Sequence, residues 1–328
     1  MSYSRKVYVK AASTLERRRS KAEHTQSMHR EEAYAKIPEL ISIDREISSA
    51  GAEVIRAIGM GENAQRFIEE LSKKNLAAQQ RRKDILKENG YPEDYLDADY
   101  TCKKCRDTGF VSGVMCDCYK ELLRDTALAE LNELSPSSRS TFESFNVNFY
   151  TDAVTGANPR SRMKEILDFC KDYAADFGTD SPSLLLYGAT GLGKTHLSLA
   201  IASEAIRKGY GVIYGSAQNL MSRLEKEHFS SGRDNEYDGS EQAILECDLL
   251  VIDDLGAEFS TQFTVAELYN IINTRIMSRL PVIISTNLTP DGLEQKYTQR
   301  ITSRIIGNYI SLYFCGKDIR QIKTMEQE

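Results

Sequence analysis

Apolar residues recur along the chain at two spacings, and each spacing predicts a different kind of structure. From Ile37 to Ile58 they return every three or four positions, which is typical of an amphipathic helix. A second pattern of this kind runs from about residue 63 to residue 87 and stops at a turn-forming Asn-Gly-Tyr-Pro sequence. From about residue 160 short apolar runs alternate with helical patterns, which favours parallel strands joined by crossover helices.

Five of the short apolar runs have the length of strands. The predicted strands are Leu184–Tyr187, Gly211–Tyr214, Leu249–Asp253, Val282–Thr286 and Tyr309–Phe314. A polar stretch at 229–239 is rich in turn-forming residues and predicts an exposed loop. The pattern therefore predicts an α/β domain with a five-stranded parallel sheet, preceded by a helical N-terminal module.

The helical residues 1–100 contain no catalytic constellation. They suit either a module that docks a partner or helices that pack on the rest of the chain. Their first thirty residues hold eight Lys or Arg against two Glu. Such a run indicates a nucleic-acid patch, or else a solvated helix face or a frayed basic tail.

Composition narrows the class of protein. A chain of 328 residues has room for about two domains, and its net charge of −6 argues against binding polyanions over its whole surface. No apolar run approaches the ~18 residues of a membrane span, and the N-terminus lacks an apolar signal core. We therefore expect a cytoplasmic protein with no membrane partner. An odd count of seven cysteines does not fit a secreted disulfide framework.

One stretch directly after the first strand matches the phosphate-loop pattern G-x-x-x-x-G-K-[ST] in full. It consists of Gly188, Ala189, Thr190, Gly191, Leu192, Gly193, Lys194 and Thr195, and a helix-prone run beginning at His196 follows. Glycines let backbone N–H groups turn toward a phosphate chain, and the helix adds the positive end of its dipole. We predict that residues 188–196 bind a nucleotide, with Lys194 on the β- and γ-phosphates and Thr195 on Mg²⁺. A glycine-rich turn that binds nothing is the alternative.

Polar residues follow two later strands, at the sheet edge where parallel sheets bind ligands. Asp253 and Asp254 end the strand that begins at Leu249. We predict that Asp253 holds Mg²⁺ through water and that Asp254 polarises the attacking water. Asn287 follows the next strand, where it either orients the water or the γ-phosphate or forms a turn before Pro290.

Four cysteines, Cys102, Cys105, Cys116 and Cys118, form the pattern C-x2-C-x10-C-x-C. Four thiolates satisfy tetrahedral Zn²⁺ and leave no open position, which predicts a structural zinc site. Free surface thiols or a redox pair are the alternatives. We predict three domains: a helical docking module at 1–100, the zinc knuckle and linker at 101–135, and the nucleotide domain at 140–328. The linker is the polar stretch at 135–138.

Aromatic residues and arginines add candidates for the nucleotide domain. Phe142, Phe145, Phe149 and Tyr150 either surround an adenine or cover a sheet edge. Arginines near the C-terminus, among them Arg300, Arg304 and Arg320, are able to stabilise phosphoryl charge in the same or a neighbouring subunit. Each of them also suits an ordinary surface position.

Five motifs occur in a fixed order: the phosphate loop, Ile252-Asp253-Asp254, Ser285-Thr286-Asn287, Gln299-Arg-Ile-Thr-Ser-Arg304 and Gly316-Lys-Asp-Ile-Arg320. Over residues 140–326 this series resembles the DnaC/DnaI-type replicative helicase loaders, AAA+ ATPases close to the IstB transposition ATPases. The segment C-x2-C-R-D-T-G beginning at Cys102 is similar to the zinc-bearing N-terminal regions of Gram-positive loaders.

The resemblance implies a function for the whole chain. It implies an AAA+ ATPase that uses ATP, Mg²⁺ and Zn²⁺ and loads a DnaB-type replicative helicase onto single-stranded DNA during replication initiation. The N-terminal module would grip the helicase, and the ATPase domain would self-associate in the ATP state. By motif position, Lys194 and Thr195 are the Walker A pair, Asp253 and Asp254 the Walker B pair, Asn287 sensor 1 and Arg320 sensor 2. Arg300 falls at the arginine finger, with Arg304 as its rival.

One residue departs from the AAA+ pattern. The second Walker B acid is usually Glu, and here it is Asp254, which is one methylene shorter. We therefore expect slow, partner-stimulated hydrolysis, in which ATP acts as a switch. An IstB-like ATPase that regulates transposition by binding duplex DNA and a transposase is the alternative function, and a metabolic kinase is a weaker one. The helical module and the knuckle favour loading.

Overall fold

A computed structural model of the chain describes residues 3–57, 64–133, 140–150, 158–230 and 240–325. The chain divides into two compact units, one of Met1–Ala11 with Asp117–Glu328 and the other of Ala12–Cys116. The predicted linker at 135–138 and residues 231–239 of the predicted loop lie outside the described residues. Within the described ranges, no helix combines the length and the apolar character needed to span a membrane.

Three long helices form most of the first hundred residues: α1 (Arg5–Lys36), α2 (Glu39–Ala57) and α3 (Ala64–Glu88). The two periodic stretches correspond to α2 and α3. Periodicity does not predict α1, because its buried residues, such as Val7, Ala11 and Leu15, form a narrow stripe on an otherwise polar helix. The basic residues at 17, 19 and 21 are exposed on this helix, as in the interpretation of a solvated helix face.

The helical unit has a small core of its own. Its buried residues are Ala33, Ile37, Leu40, Leu86 and Leu96. Tyr95 stacks on His29 with ring centroids 4.0 Å apart, and Arg82 forms ion pairs with Asp44 and Asp97. These contacts hold α1, the α2–α3 pair and the segment after α3 together.

The cysteine-containing segment folds around a short antiparallel hairpin of β1 (Phe110–Val111) and β2 (Val114–Met115). Ser112 and Gly113 make its turn with φ values of 50° and 80°. The next helix, α4 (Asp117–Glu133), belongs to the other unit. Its buried stripe of Tyr119, Leu123, Ala127 and Leu131 repeats every four residues, a signal that was present in the sequence.

The larger unit contains one five-stranded sheet. Its strands are β3 (Ser183–Gly188), β4 (Val212–Ser216), β5 (Leu249–Leu255), β6 (Val282–Thr286) and β7 (Tyr309–Phe314). They lie in the order β4-β5-β6-β3-β7, and every neighbouring pair is parallel. The predicted class, an α/β domain with a five-stranded parallel sheet behind a helical N-terminal region, is confirmed.

Helices of the larger unit connect the strands. After α4 they are α5 (Pro159–Ala175), α6 (Lys194–Arg207), α7 (Ala217–Ser230), α8 (Ser240–Glu246), α9 (Gln262–Met277), α10 (Pro290–Lys296), α11 (Gln299–Asn308) and α12 (Ile319–Met325). Leu184, Leu185 and Leu186 of the central strand are fully buried. The crossover helices therefore cover a continuous apolar sheet, whose carboxyl edge carries the phosphate loop.

Candidate nucleotide-binding site

The phosphate loop leaves the end of β3 and leads directly into α6. Gly188, Gly191 and Gly193 have φ values of 144°, 74° and 86°, a region that side-chain-bearing residues rarely adopt. Gly193 is the N-cap of α6, so the first N–H groups of the helix open toward the loop. The glycines thus produce the turn that the sequence pattern predicts.

Lys194 points back into this loop. Its Nζ donates to the carbonyl oxygens of Gly188 at 2.8 Å and Ala189 at 2.6 Å, and to Oδ1 of Asn287 at 2.8 Å. Burial lowers the pKa of Lys194 to about 8, although Asp254 and Asp253 favour its charged form. The ammonium is thus held by neutral oxygens at the place where phosphate oxygens would compete for it.

Asp253 lies opposite Thr195. The Thr195 hydroxyl donates to the two carboxylate oxygens of Asp253 at 3.0 and 3.1 Å. The Ser285 hydroxyl also donates to Asp253, and burial together with this carboxylate raises the pKa of Tyr214. A hydroxyl and a carboxylate placed in this way are suitable oxygen ligands for Mg²⁺.

Asp254 has an unusual backbone conformation. Its φ is 55°, and the pairing of β5 with β6 is irregular between Ile252 and Leu255. The Asp254 N–H donates to the Ser285 hydroxyl at 2.9 Å, and Asn287 Nδ2 donates to the Asp254 carboxylate at 2.7 Å. Asn287 therefore bridges Lys194 and Asp254 through the two ends of one amide.

These residues line a cleft of about 400 Å³. Lys194, Thr195, Asp253, Asp254, Asn287 and Arg320 all border it, together with loop residues 190–193 and His196. Phe145, Phe149 and Tyr150 border it as well, whereas Phe142 does not appear in its lining. The cleft thus brings together residues from five separate parts of the chain, but the predicted site residues Gly188, Ala189 and Arg300 are not in its lining.

The aromatic segment before α5 is bonded to the phosphate loop. The Tyr150 hydroxyl donates to the Leu192 carbonyl at 2.8 Å, and Phe145 stacks on Tyr150 with centroids 5.8 Å apart. His196 Nε2 lies 2.8 Å from the Thr141 carbonyl and 3.2 Å from Ser144 Oγ. The contact of residue 196 with residues 141 and 144 could not be read from local pattern, because it joins positions more than fifty residues apart.

The C-terminal segment closes another side of the cleft. The Ile319 N–H donates to the Gly191 carbonyl at 3.1 Å, and Arg320 N donates to Asp318 Oδ1 at 2.9 Å. A Cβ on Gly191 would lie 1.8 Å from Asp318 Oδ1. This close approach and the φ of 74° both disfavour a side chain at residue 191.

Arg300 and Arg304 lie away from this cleft. Arg300 is exposed and borders a separate hollow on α9 and α11 that also includes Tyr269. Arg304 Nε donates to Asn273 Oδ1 at 2.9 Å, and its guanidinium carbon lies 4.8 Å from the Tyr269 ring centre. Within one chain, only Arg320 of the three arginines borders the candidate nucleotide site.

The four cysteines of the knuckle converge. All four sulfur atoms lie within 4.8 Å of one another, and Sγ of Cys102 is 3.8 Å from Sγ of Cys116. Asp107, which is buried, accepts backbone N–H bonds from Thr101 at 2.8 Å and Cys102 at 2.9 Å. A closed set of four soft donors with a fixed loop fits Zn²⁺ better than any hard cation.

A family model described as "IstB-like ATP binding protein" matches residues 129–306 of the chain. The chain belongs to this IstB-like family. The family match and the parallel sheet identify the larger unit of this IstB-like protein as an AAA+ ATP-binding ATPase domain.

Curated relatives of this IstB-like protein include replication proteins. The chromosomal replication initiator protein DnaA of Aquifex aeolicus is 30% identical over 140 residues, which is 43% of this chain and 34% of DnaA. The replicative helicase loader DnaC of Buchnera aphidicola is 26% identical over 48% of this chain and 65% of DnaC. For Escherichia coli DnaC the identity is 26%, over 45% of this chain and 60% of DnaC. The chain thus spans between about a third and two thirds of these relatives.

Similar solved structures include a DnaA and a DnaC. The match to AMPPCP-bound DnaA from Aquifex aeolicus covers 59% of the IstB-like chain and 55% of the DnaA chain, with 26% identity and a TM-score of 0.45. The match to a DnaC helicase loader covers 53% of this chain and 98% of the DnaC chain, with 21% identity and a TM-score of 0.43.

Proposed function

We propose that this protein is an ATP-dependent loader of the replicative helicase, acting on single-stranded DNA at replication initiation with ATP as its switch. The observation that carries the switch is the Asn287 amide, which holds Lys194 at 2.8 Å and Asp254 at 2.7 Å. A γ-phosphate that takes the Lys194 ammonium competes with the Asn287 carbonyl oxygen. Nucleotide occupancy would therefore reposition the amide that orients Asp254.

The loading part of the proposal is supported by the DnaC relatives, which are named replicative helicase loaders. We infer that the helical unit and the knuckle grip a DnaB-type helicase. The ATPase domain would contact single-stranded DNA and self-associate in the ATP state. The transposition alternative is not favoured, because these curated relatives are replication proteins.

Each site residue has a proposed role. Residues 188–196 would bind the triphosphate of ATP, and Thr195 with Asp253 would hold Mg²⁺. Asp254 would orient the attacking water, Asn287 would sense the γ-phosphate and Arg320 would contact it. The four knuckle thiolates would hold one structural Zn²⁺, which supplies cross-links rather than catalysis.

Capture of the full-length chain on immobilised replicative helicase of the same organism tests the loading proposal. We expect capture of the wild type and of Cys315→Ser, which leaves the knuckle intact. Cys102→Ser should lose both zinc and capture but still bind ATP. If the wild type is not captured with or without ATP, and instead forms ATP-dependent filaments on duplex DNA, the loader proposal fails and the transposition function replaces it.

The two rival arginines receive different proposed roles. Arg304 is held by Asn273 and Tyr269, and it donates to the Arg300 carbonyl at 3.0 Å. Arg300 is exposed, with no hydrogen bond or ion pair from its side chain to the described residues. We therefore propose that Arg300 reaches the nucleotide of a neighbouring subunit and that Arg304 positions it.

Arg300→Ala should keep ATP affinity within about twofold and reduce helicase-stimulated hydrolysis by about 10³-fold or more, the range of transferable arginine fingers. Arg304→Ala should reduce helicase-stimulated hydrolysis by a smaller factor, because Arg304 does not itself contact the nucleotide of the neighbouring subunit. Equilibrium nucleotide binding and steady-state turnover measure the two effects. Loss of ATP binding in Arg300→Ala would place its action within its own subunit.

A further inference from the structure

Glu258 is a buried carboxylate that borders neither the cleft nor the hollow beside Arg300. We infer that it is a positioning residue, which connects the nucleotide site of a subunit to the helix that carries its Arg300. This inference rests on the proposed function, since it concerns how Arg300 is presented to a neighbouring subunit.

The first connection lies within the loop that follows β5 and joins Glu258 to the beginning of that loop. Glu258 is 5% exposed, and its Oε2 accepts the N–H of Gly256 at 2.8 Å. Gly256 lies two residues after Asp254 and has a φ of 106°. The carboxylate therefore fixes the backbone that sets the direction of the Asp254 side chain.

The second connection joins Glu258 to the end of α10. The Tyr297 hydroxyl donates to Glu258 Oε1, and burial and this carboxylate raise the pKa of Tyr297. Lys296 Nζ lies 3.8 Å from Oε1 and donates to the Glu258 carbonyl at 2.9 Å and to the Gly256 carbonyl. A buried carboxylate is tolerable only with such a full set of donors and a compensating charge.

Only two residues separate Tyr297 from Arg300. Tyr297 is the C-cap of α10, Thr298 is the N-cap of α11, and Arg300 is the second residue of α11. The end of β5, where the loop begins, is bonded to β6, because the Thr286 hydroxyl donates to the Leu255 carbonyl. The loop after β5 thus starts beside the strand that ends next to Asn287, and through Glu258 it is bonded to the start of the helix that carries Arg300.

These bonds form a continuous path between the two sites. A γ-phosphate that reorients Asn287 and Asp254 changes the loop, and the Glu258 carboxylate passes that change to the α10–α11 junction. The expected role is therefore a control of turnover in the neighbouring subunit, with nucleotide affinity unchanged.

Glu258→Gln is the first test, since glutamine keeps the volume and one acceptor oxygen but loses the charge that balances Lys296. Helicase-stimulated kcat should fall at least tenfold while KM for ATP changes little. The melting temperature should also fall, because one amide oxygen cannot accept from both the Gly256 N–H and the Tyr297 hydroxyl and Lys296 loses its partner charge. Tyr297→Phe should lower kcat by a smaller factor, about threefold. The control is Glu294→Gln, which removes an exposed carboxylate from the same helix α10 and should behave as the wild type.

Mixed assemblies decide between this coupling and a local defect. Asp254→Asn subunits, which should bind ATP but hydrolyse it slowly, are mixed with wild-type subunits on the helicase and a single-stranded oligonucleotide. Adding Glu258→Gln to the Asp254→Asn subunits should lower wild-type turnover, nearly to the level given by adding Arg300→Ala to them. If Glu258→Gln adds nothing while Arg300→Ala does, Glu258 does not position Arg300. If Arg300→Ala also adds nothing, the proposed action between subunits is wrong, and the inference fails with it.

Discussion

Lys194 is the residue whose chemistry is most altered by its surroundings. It is 6% exposed, and Asp253, Asp254 and Arg320 are the charged groups that affect it. Burial lowers its pKa in the nucleotide-free protein to about 8, whereas a bound triphosphate favours the charged ammonium. The free protein must therefore take up a proton to bind nucleotide once the pH exceeds about 8.

This proton uptake gives ATP affinity a defined pH dependence. Between pH 7.5 and pH 9 the phosphate charge is constant, and ATP affinity should fall on the order of tenfold as Lys194 loses its proton. Calorimetric titration at several pH values measures the change. Lys194→Arg provides the control, because its guanidinium stays charged and its weaker affinity should not vary over this range. A flat wild-type profile would show that Lys194 remains protonated.

Asp254 occupies a backbone conformation that restricts its replacement. A φ of 55° is tolerated by Asp and Asn better than by longer side chains. The conformation gives a physical reason for Asp at a position where the AAA+ pattern has Glu. The departure seen in the sequence is thus matched by a local feature of the strand end, which residue spacing does not reveal.

Two substitutions separate the backbone role of Asp254 from its chemical role. Asp254→Asn should keep the fold and ATP binding but lower hydrolysis on the order of 100-fold, because the amide cannot accept a proton. Asp254→Glu should not exceed wild-type turnover and should lower the free energy of unfolding by about 1 kcal/mol, the cost of a left-handed conformation. Turnover and chemical denaturation test both. A faster, equally stable Glu variant would contradict the backbone argument.

At the scale of elements, the phosphate loop depends on the C-terminal segment that lies against it. Gly191→Ala would place a methyl group against Asp318. The φ of residue 191 is 74°, which disfavours alanine as well. We expect ATP affinity to fall at least tenfold, because the methyl group must displace the Asp318 carboxylate and the loop must keep a φ that alanine rarely adopts. Gly307→Ala is the matched control: its added methyl meets nothing within 4 Å, and α11 should gain about 0.5–1 kcal/mol in helix stability. Equal nucleotide binding by both variants would show that this contact is dispensable.

Some elements follow directly from the sequence pattern and others do not. The five strands begin and end within two residues of their predicted limits, because each is an apolar run bounded by turns. The stripe of α1 is too narrow to give a strong period, and α12 is only seven residues long.

Ser285, which bonds to Asp253 and Asp254, has one sequence signal, a hydroxyl within the apolar strand Val282–Thr286. The contacts of Gly191 with residues 318 and 319 are set by tertiary packing alone.

For the whole molecule, the cysteine knuckle links metal content to stability. We expect about one zinc per chain by metal analysis. Strong chelation should remove hydrogen-exchange protection from residues 101–118 and leave ATP binding intact, because the knuckle has little apolar core to replace the metal. Cys102→Ser should show the same loss without chelator, and Cys315→Ser should not. Unchanged protection after complete zinc removal would exclude a structural metal.

The helix α1 is shared between the two compact units. Tyr3, Val7 and Ala11 are buried in the unit that contains the parallel sheet, whereas the chain from Ala12 to Cys116 forms the other unit. The ribosome therefore releases the first eleven residues of the sheet-containing unit more than a hundred residues before the rest of that unit. Residues 12–116 are free to fold during translation, while the sheet-containing unit waits for the last strand. Synthesis thus completes the helical unit before the unit to which the first eleven residues belong.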